Sequence, residues 1–449
     1  MMRTAIDTTE LARLHAAHVT HLEHIYGEVL ARTGYDAVVL HSGSLKLRSE
    51  FDDQYWPLRV VPHFQHWLPL AHPDCALVIA QGRRARLYWP TAVSFWENPP
   101  QPEWDGWRAA LEVVEVGGPR DIKDHLPSAA PGRRALIGEG HVALDWGFAA
   151  EEMNPQDLVR ELDLLRTRKT DYEIFCIAEA NRRAALGHQK VAAAFRAGER
   201  SELLLHLAYL AATSQDDPET PYKNIVALGA HAATLHHIDY RRQPAPARSL
   251  LLDAGATFLG YTSDITRTHA APGSGAAEIA FAHLLAGMER LQQTLCAHVA
   301  VGRPYEALHE ESHRHVAELL REVGVVRMGT DEMDERGVTR AFFPHGLGHS
   351  LGLQTHDVGC AQIKPKPRNP FLRNTSTIAP GQVFTIEPGL YFIPGLLDEL
   401  RQKPEGGAVD WRLVDELRGL GGIRIEDDVL VTGDPAAPIR NITREVLPS

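Results

Sequence analysis

The sequence predicts an α/β domain at the N-terminus followed by an α+β domain, and three observations carry that prediction. The chain has 449 residues, more than one ordinary hydrophobic core accommodates, so two domains are expected. Over the first third, short apolar runs alternate with helical periodicity. Later, strand-like and helix-like segments fall into separate groups, as in α+β domains. A polar, charge-rich stretch at Glu161–Lys169 marks the division, giving domains at residues 1–164 and 165–449.

Leu11, Leu14, His18, Leu22, Ile25 and Val29 recur at helical spacing. The run Asp36-Ala37-Val38-Val39-Leu40 then reads as a buried strand. Further strands are expected at Cys75–Ala80, Ala85–Trp89 and Ala135–Ile137, between Gly, Pro and charged turns. No GxGxxG or P-loop spacing accompanies them, so this part carries no phosphate-binding signature. From Asp171 to Phe195 the apolar positions Ile174, Ile177, Ala184 and Val191 predict an amphipathic helix. Ser201 is placed to cap another, opening with Glu202 and Leu203. Helices follow at Ala276–Val299 and Tyr305–Val323. Strand-like segments lie at Ser249–Asp253, Thr257–Thr268, Val383–Phe392 and Gly422–Val431.

Apolar residues make up 44% and charged residues 23%, the mix of a soluble globular protein. The net charge of −12, from 46 basic and 58 acidic residues, argues against a nucleic-acid partner, which needs a basic surface. Cys75, Cys176, Cys296 and Cys360 show no ligand spacing, so a reducing cytoplasmic interior is expected. Met1 to Glu10 lacks the apolar core of a signal peptide. No run approaches the roughly 20 apolar residues of a membrane span, so no membrane partner is expected.

The chemistry collects on the later strands. Asp253 ends the apolar run Ser249–Leu252, and Asp264 begins another β-prone stretch. Glu387 interrupts Val383–Gly389, and Glu426 interrupts Gly422–Asp427. Each carboxylate sits where sheet interior is expected, which is costly unless it is paired or bound to metal. Singly, each reads as a strand cap or turn residue; only the joint pattern points further. Four buried carboxylates would repel one another, whereas two divalent cations cancel their charge. An imidazole is the expected companion, and His345-Gly346-Leu347-Gly348-His349 offers two. The spacing of those histidines also fits a zinc-protease helix, but Gly346 stands where that motif needs Glu, and two glycines disfavour a helix. The glycines suit close backbone approach instead.

The strings LLDAGATFLGYTSDITRT, FPHGLGHSLGLQTHDVG, FTIEPGLYF and GGIRIEDDV resemble those of the pita-bread metallopeptidases, in particular their bacterial Xaa-Pro dipeptidase (prolidase) branch. The N-terminal LHSGSLKLRSEFDD and the later YKNIVALGAHAATLHH extend the resemblance over most of the chain. It implies a pita-bread (creatinase/aminopeptidase-like) catalytic domain holding two divalent metal ions per chain. Mn²⁺ is the expected metal, with Co²⁺ or Zn²⁺ as alternatives. Carried over by position, Asp253 holds one metal, Asp264 and Glu426 bridge both, and His349 with Glu387 completes the ligands of the second metal.

The implied function is hydrolysis of Xaa-Pro dipeptides by a hydroxide bridging the two metals. Glu387 is implied to shuttle a proton, and His236, His345 and His356 to position substrate and move protons. His237 stands where relatives usually carry an aromatic residue. Arg373 resembles the arginine that grips the substrate's terminal carboxylate, a task suited to guanidinium, and so favours dipeptides. Arg424 is expected to brace Glu426 or the substrate, and Tyr222 to support the bridging site or an aspartate ligand. A homodimer is implied; Trp89 is either a residue lent to the neighbour's pocket or core packing. Histidines on helices, such as His309, His313 and His315, read as solvated. The resemblance also admits organophosphorus acid anhydrolase-type and aminopeptidase P-type hydrolysis on the same site. Non-enzymatic peptide-binding relatives have lost the carboxylate ligands, and this chain keeps all five ligand positions.

Overall fold

The computed structural model describes residues 6–51, 53–91, 102–359 and 363–448; Cys360 and the first five residues lie outside the described ones. Contacts divide the chain into two units, Met1–Cys176 and Ile177–Ser449.

The first unit opens on α1 (Thr8–Thr33), whose start is capped by the Asp7 carboxylate, accepting from the N–H groups of Thr9 and Glu10. Leu11, Leu14, His18, Leu22 and Val29 form its buried face, at the spacing the sequence shows. Five strands follow: β1 (Ala37–His41), β2 (Ala76–Ala80), β3 (Arg86–Pro90), β4 (Glu112–Val116) and β5 (Arg134–Ile137). They form one mixed sheet in the order β4-β3-β2-β1-β5. β1 runs antiparallel to β2 and parallel to β5. Every residue of β1 and β2 is buried, because both sheet faces are covered. Val38 and Leu40 pack with α1 and with α3 (Gln156–Leu165), whereas Ala37 and Val39 face α2 (Ile122–Ala129). β4 is an addition to the strands expected. Its two glutamates mask the apolar pattern, and its place at the sheet edge tolerates them.

α4 (Asp171–Arg196) spans the division between the units. In the second unit, α5 (Glu202–Thr213) is capped by Ser201 as expected, its hydroxyl accepting from Leu204 N–H at 3.3 Å. β6 (Ile225–Leu228), β7 (Ser249–Asp253) and β10 (Thr266–Ala270) make a three-stranded antiparallel sheet. Between β7 and β10 lies a hairpin of β8 (Thr257–Phe258) and β9 (Tyr261–Thr262). Val191, Phe195, Leu205 and Tyr209 from α4 and α5 cover the sheet at Val226, Leu250 and Leu252. The second half pairs α6 (Ala276–Ala297) and α7 (Tyr305–Glu322) with a sheet of β11 (Val383–Ile386), β14 (Asp427–Asp434) and β15 (Ala437–Asn441). A separate ribbon joins β12 (Gly389–Tyr391) to β13 (Gly422–Arg424).

The long strands expected at Thr257–Thr268, Val383–Phe392 and Gly422–Val431 are therefore each broken. Asp264, Glu387 and Glu426 sit in the breaks, where leaving the ladder frees them to converge; Pro388 lacks the N–H that would continue one. The expectation that His309 and His313 are solvated is corrected. They are 3% and 1% exposed, because Phe343 packs over both rings and Thr339 bonds His313 Nδ1 at 3.1 Å.

The α/β N-terminal domain and α+β C-terminal domain expected are the architecture found.

Candidate metal centre

Five residues meet in the second unit because three sheet breaks and one loop converge. Asp253 closes β7 directly opposite Thr266 on β10. Glu426 pairs with the same Thr266, its N–H donating to the Thr266 carbonyl at 3.1 Å. Residues 347–351 run beside β11, with Leu351 N–H on Val383 O (3.0 Å), Thr385 N–H on His349 O (2.9 Å) and Glu387 N–H on Leu347 O (2.8 Å). Gly348 makes this approach feasible: a Cβ there would fall 2.3 Å from the Thr385 oxygen. The segment is extended rather than helical, in line with the rejected zinc-helix reading.

Asp264 is two-faced. Its Oδ1 lies 2.5 Å from the Tyr222 hydroxyl, which is also 2.7 Å from Asp253 Oδ1. Its Oδ2 lies 3.2 Å from His349 Nε2. Glu387 Oε1 and Glu426 Oε1 stand 3.7 and 3.9 Å from the same nitrogen. Ligating atoms of Asp264, His349 and Glu426 all lie within 4.8 Å of one another. His349 Nδ1–H donates to Ser350 O at 3.1 Å, which leaves Nε2 facing the carboxylates.

The electrostatics show an excess of negative charge. Burial, then repulsion by Asp264, Glu387 and Asp253, lifts Glu426 well above the usual carboxylate range. Burial first also raises Asp253, and lifts Glu387 to about 7. Burial alone would lower His349, but its bond to Asp264 and the charges of Asp264 and Glu387 outweigh that and raise it to about 9. Two observations show that a cation fits. Glu426 Oε1 is buried without a hydrogen-bond partner. The Tyr222 hydroxyl has one hydrogen for two carboxylate oxygens, so one of them needs another positive neighbour.

A chain of hydrogen bonds runs outward from Asp253. Arg424 donates to Asp253 Oδ2 (2.5 Å) and to the Tyr391 hydroxyl (2.8 Å), and Tyr391 donates to His345 Nε2 (2.8 Å). His345 Nδ1–H is used by Gly346 O, so this imidazole is neutral; burial, then the charge of Arg424, hold it down at about 3. His345 Nδ1 also lies 3.9 Å from Glu387 Oε2. Thr266 links the two branches, donating to Glu426 Oε2 (2.7 Å) and accepting from Arg424 Nε (3.2 Å).

His236, His356 and Arg373 differ from these because they are uncommitted. All three are exposed and make no hydrogen bond among the described residues. The His356 ring meets His349 edge-on at 4.3 Å between centroids. Partial enclosure of its ring, then the charges of His349 and Arg373, hold His356 at about 4. The charge of His236 bears on both His345 and His356. By contrast, nearby Lys366 and Arg368 are engaged by Glu310. Trp89, in the first unit, is 8% exposed and packs against Trp107 with Arg108 over its ring, as core packing requires.

Four contributors escaped the sequence reading. Tyr391 and Thr266 sit two or four positions from Glu387 and Asp264, the period that places strand residues on one face, and that signal could have found them. Asp428 follows Glu426 by two; its carboxylate accepts from Asp264 N–H at 3.1 Å and Asn181 Nδ2 at 2.8 Å. Glu202 gave no local signal. Wholly buried at the start of α5, it accepts from Leu228 N–H (2.9 Å), Arg241 N–H (2.7 Å), His231 Nδ1 (2.7 Å) and His237 Nε2 (3.0 Å). His237, its ring tilted against that of His231 at 4.3 Å between centroids, thus anchors the loop that carries His236.

Known proteins resemble the chain over nearly its whole length. Residues 176–433 match the model of metallopeptidase family M24, and residues 13–164 match that of the Xaa-Pro dipeptidase N-terminal domain. An Xaa-Pro dipeptidase of Marinobacter nauticus is 43% identical over 97% of this chain and 99% of its own length. One of Stenotrophomonas maltophilia is 40% identical, covering 96% of this chain and 97% of that protein. Among solved structures, zinc-substituted Escherichia coli aminopeptidase P superposes with a TM-score of 0.72 at 22% identity, over 96% of this chain and 95% of that one. An aminopeptidase P of Yersinia pestis gives 0.72 at 21% identity, over 96% of each chain. At that identity the structural likeness speaks for the fold, and the closer sequence relatives speak for the lineage. The chain belongs to metallopeptidase family M24, with an N-terminal domain of the Xaa-Pro dipeptidase type.

Proposed function

We propose that this protein hydrolyses Xaa-Pro dipeptides at two divalent metal ions held by Asp253, Asp264, His349, Glu387 and Glu426. The observation that carries the reading is Asp264, which turns one oxygen to the Tyr222–Asp253 side and the other to His349. A carboxylate so placed is suited to bridge two cations, and Glu426 supplies an unpartnered oxygen beside it. Relatives around 40% identical over nearly their whole length are Xaa-Pro dipeptidases, which supports the substrate class. One imidazole among four carboxylates suits Mn²⁺ first, with Co²⁺ or Zn²⁺ as alternatives. Bound there, such cations supply Lewis acidity to the scissile carbonyl and lower the pKa of water.

The side chains do the rest. Arg373, with no partner among the described residues, receives the terminal carboxylate of the dipeptide. His236 and His356 line the approach with uncommitted ring nitrogens. The Arg424–Tyr391–His345 chain holds His345 neutral, with its ring fixed beside Glu387. Glu387, 3.9 Å from His345 Nδ1, is placed to pass a proton toward the departing proline amine. A homodimer is supported by Phe51, Leu47, Tyr55 and Trp56, exposed together around one hairpin of the first unit. Cys75 and Cys296 are buried thiols outside any disulfide, as a cytoplasmic protein allows. No helix of the described residues is long and apolar enough to cross a membrane.

Turnover of Ala-Pro, Leu-Pro and Ala-Pro-Ala by the Mn²⁺-loaded protein tests the reading. The dipeptides are expected to be cleaved and the tripeptide largely spared. Survival of both dipeptides overturns it, and preference for the tripeptide would make the enzyme an aminopeptidase P type. Arg373→Met is expected to raise KM for dipeptides about 10- to 100-fold, the equivalent of one charge-assisted hydrogen-bonded pair.

A further inference from the structure

A second group of ligating side chains lies on the α6–α7 pair, built from residues the centre above does not use. His298 caps the C-terminal end of α6, and Glu311 and His315 stand one turn apart on the same face of α7. His298 Nδ1 lies 2.6 Å from Glu311 Oε1, and His315 Nε2 lies 3.5 Å from that same oxygen. One ligating atom from each of the three falls within 4.8 Å of the others.

The hydrogen-bond pattern around this group is unbalanced. His315 Nδ1 is 2.9 Å from Glu318 Oε2, so its N–H is used there and the Nε2 lone pair points at Glu311. That Nε2 is buried and has no hydrogen-bond partner. A lone pair facing a carboxylate oxygen with no hydrogen between them is repulsive, and a cation between them removes the repulsion. An imidazole that donates one N–H to a carboxylate and aims the other nitrogen inward is the arrangement metal-bound histidines adopt. The flanking residues hold the geometry ready. Arg303 binds Glu311 Oε2 at 2.7 Å and the His298 carbonyl at 3.0 Å, so a cation would take Glu311 Oε1 and replace the proton that His298 Nδ1 now shares with it. Glu311 and Glu318 against Arg303 leave a net negative charge. The C-terminal end of the α6 dipole adds to it.

We propose that His298, Glu311 and His315 form a Zn²⁺ site, separate from the catalytic pair, that staples the end of α6 to α7. Two imidazoles, one carboxylate and a water make a tetrahedral set for zinc. The nitrogen-rich donors favour Zn²⁺ over Mn²⁺, the reverse of the oxygen-rich centre, so the two sites sort metals by ligand type. The site does not depend on the dipeptidase reading.

The test counts zinc. Wild-type protein, His298→Ala and His315→Ala are dialysed against chelator-buffered Zn²⁺ from nanomolar to hundred-micromolar free metal, and bound zinc is measured by mass spectrometry. Wild type is expected to hold one more zinc per chain than either variant and to gain more in thermal midpoint on adding Zn²⁺. Glu318→Gln, which keeps all three ligands, is expected to weaken that extra zinc about 10- to 100-fold. The Mn²⁺-loaded variants are expected to keep wild-type turnover, which also shows that they fold. Equal zinc content in wild type and both alanine variants across the range overturns the proposal. So does a Glu318→Gln protein that binds the extra zinc as tightly as wild type.

Discussion

Tyr391 accepts from Arg424 and donates to His345, so one hydroxyl joins the residue that braces Asp253 to an imidazole beside Glu387. Tyr391→Phe keeps the ring packing and removes only that link. We expect kcat to fall about 10- to 100-fold with metal content unchanged; loss of metal along with activity would mean that Tyr391 acts on the ligands instead. Asp264 is the opposite case, because both of its oxygens are engaged. Asp264→Asn is expected to abolish turnover and to strip bound metal from near two per chain, as read by metal analysis. The two residues were not equally legible. Asp264 stands out in sequence as a carboxylate where sheet interior is expected, whereas a tyrosine on a strand is ordinary until its partners are known.

At the level of elements, the position of His236 is set from a distance. Glu202 opens α5, yet its buried carboxylate gathers Leu228, His231, His237 and Arg241. Burial alone would raise its pKa, but His237, the two backbone N–H groups and His231 outweigh that and hold it near 2. A depressed carboxyl contributes stability above its unfolded value of 4.5, and that contribution is lost as pH falls through the folded value. Glu202→Ala removes a buried acceptor from four donors, which costs about 3 kcal/mol or more. Denaturant unfolding at pH 7 should show that loss, and KM for dipeptides should rise as the His236 loop loosens. A variant as stable as wild type would refute this account of the loop. The breaks at Asp264, Glu387 and Glu426 belong to the same scale. The apolar runs announced strands, but a run does not reveal where a strand leaves its ladder, since that depends on which neighbour lies across it.

Across the whole molecule, the metal-free centre stores protons in place of cations. His349 is raised from 6.5 to about 9, despite burial, by Asp264 and Glu387, and burial raises Glu387 from 4.5 to about 7. Groups with raised values make the folded chain bind more protons than the unfolded one, so stability falls as pH rises. The His349 contribution is present in full below 6.5 and is lost as pH climbs through about 9. Buried histidines such as His188 and His313, lowered mainly by burial, act in the opposite sense as pH rises through their unfolded value of 6.5, and are discharged in both states about one unit above it. Chelator-treated protein is therefore expected to lose thermal midpoint between about pH 7.5 and 9, while metal-loaded protein changes little. Metal affinity should rise over the same range, because binding displaces the His349 proton. A metal-free midpoint that stays level or climbs would contradict this reading of the centre.

By itself the sequence determined the two-domain α/β then α+β order, the five long helices, most strands, and the suspicion attached to Asp253, Asp264, Glu387 and Glu426. Those features are local: periodicity, caps, and charge where apolar residues belong. It did not determine that His309 and His313 are buried, that Tyr391 joins Arg424 to His345, or that Glu202 anchors the His236 loop. Each of these depends on partners far away in the chain, and only packing brings them within hydrogen-bonding distance. The same holds at the metal centre. Composition marked the acids, but only the fold gave Asp264 one oxygen on the Tyr222–Asp253 side and one facing His349.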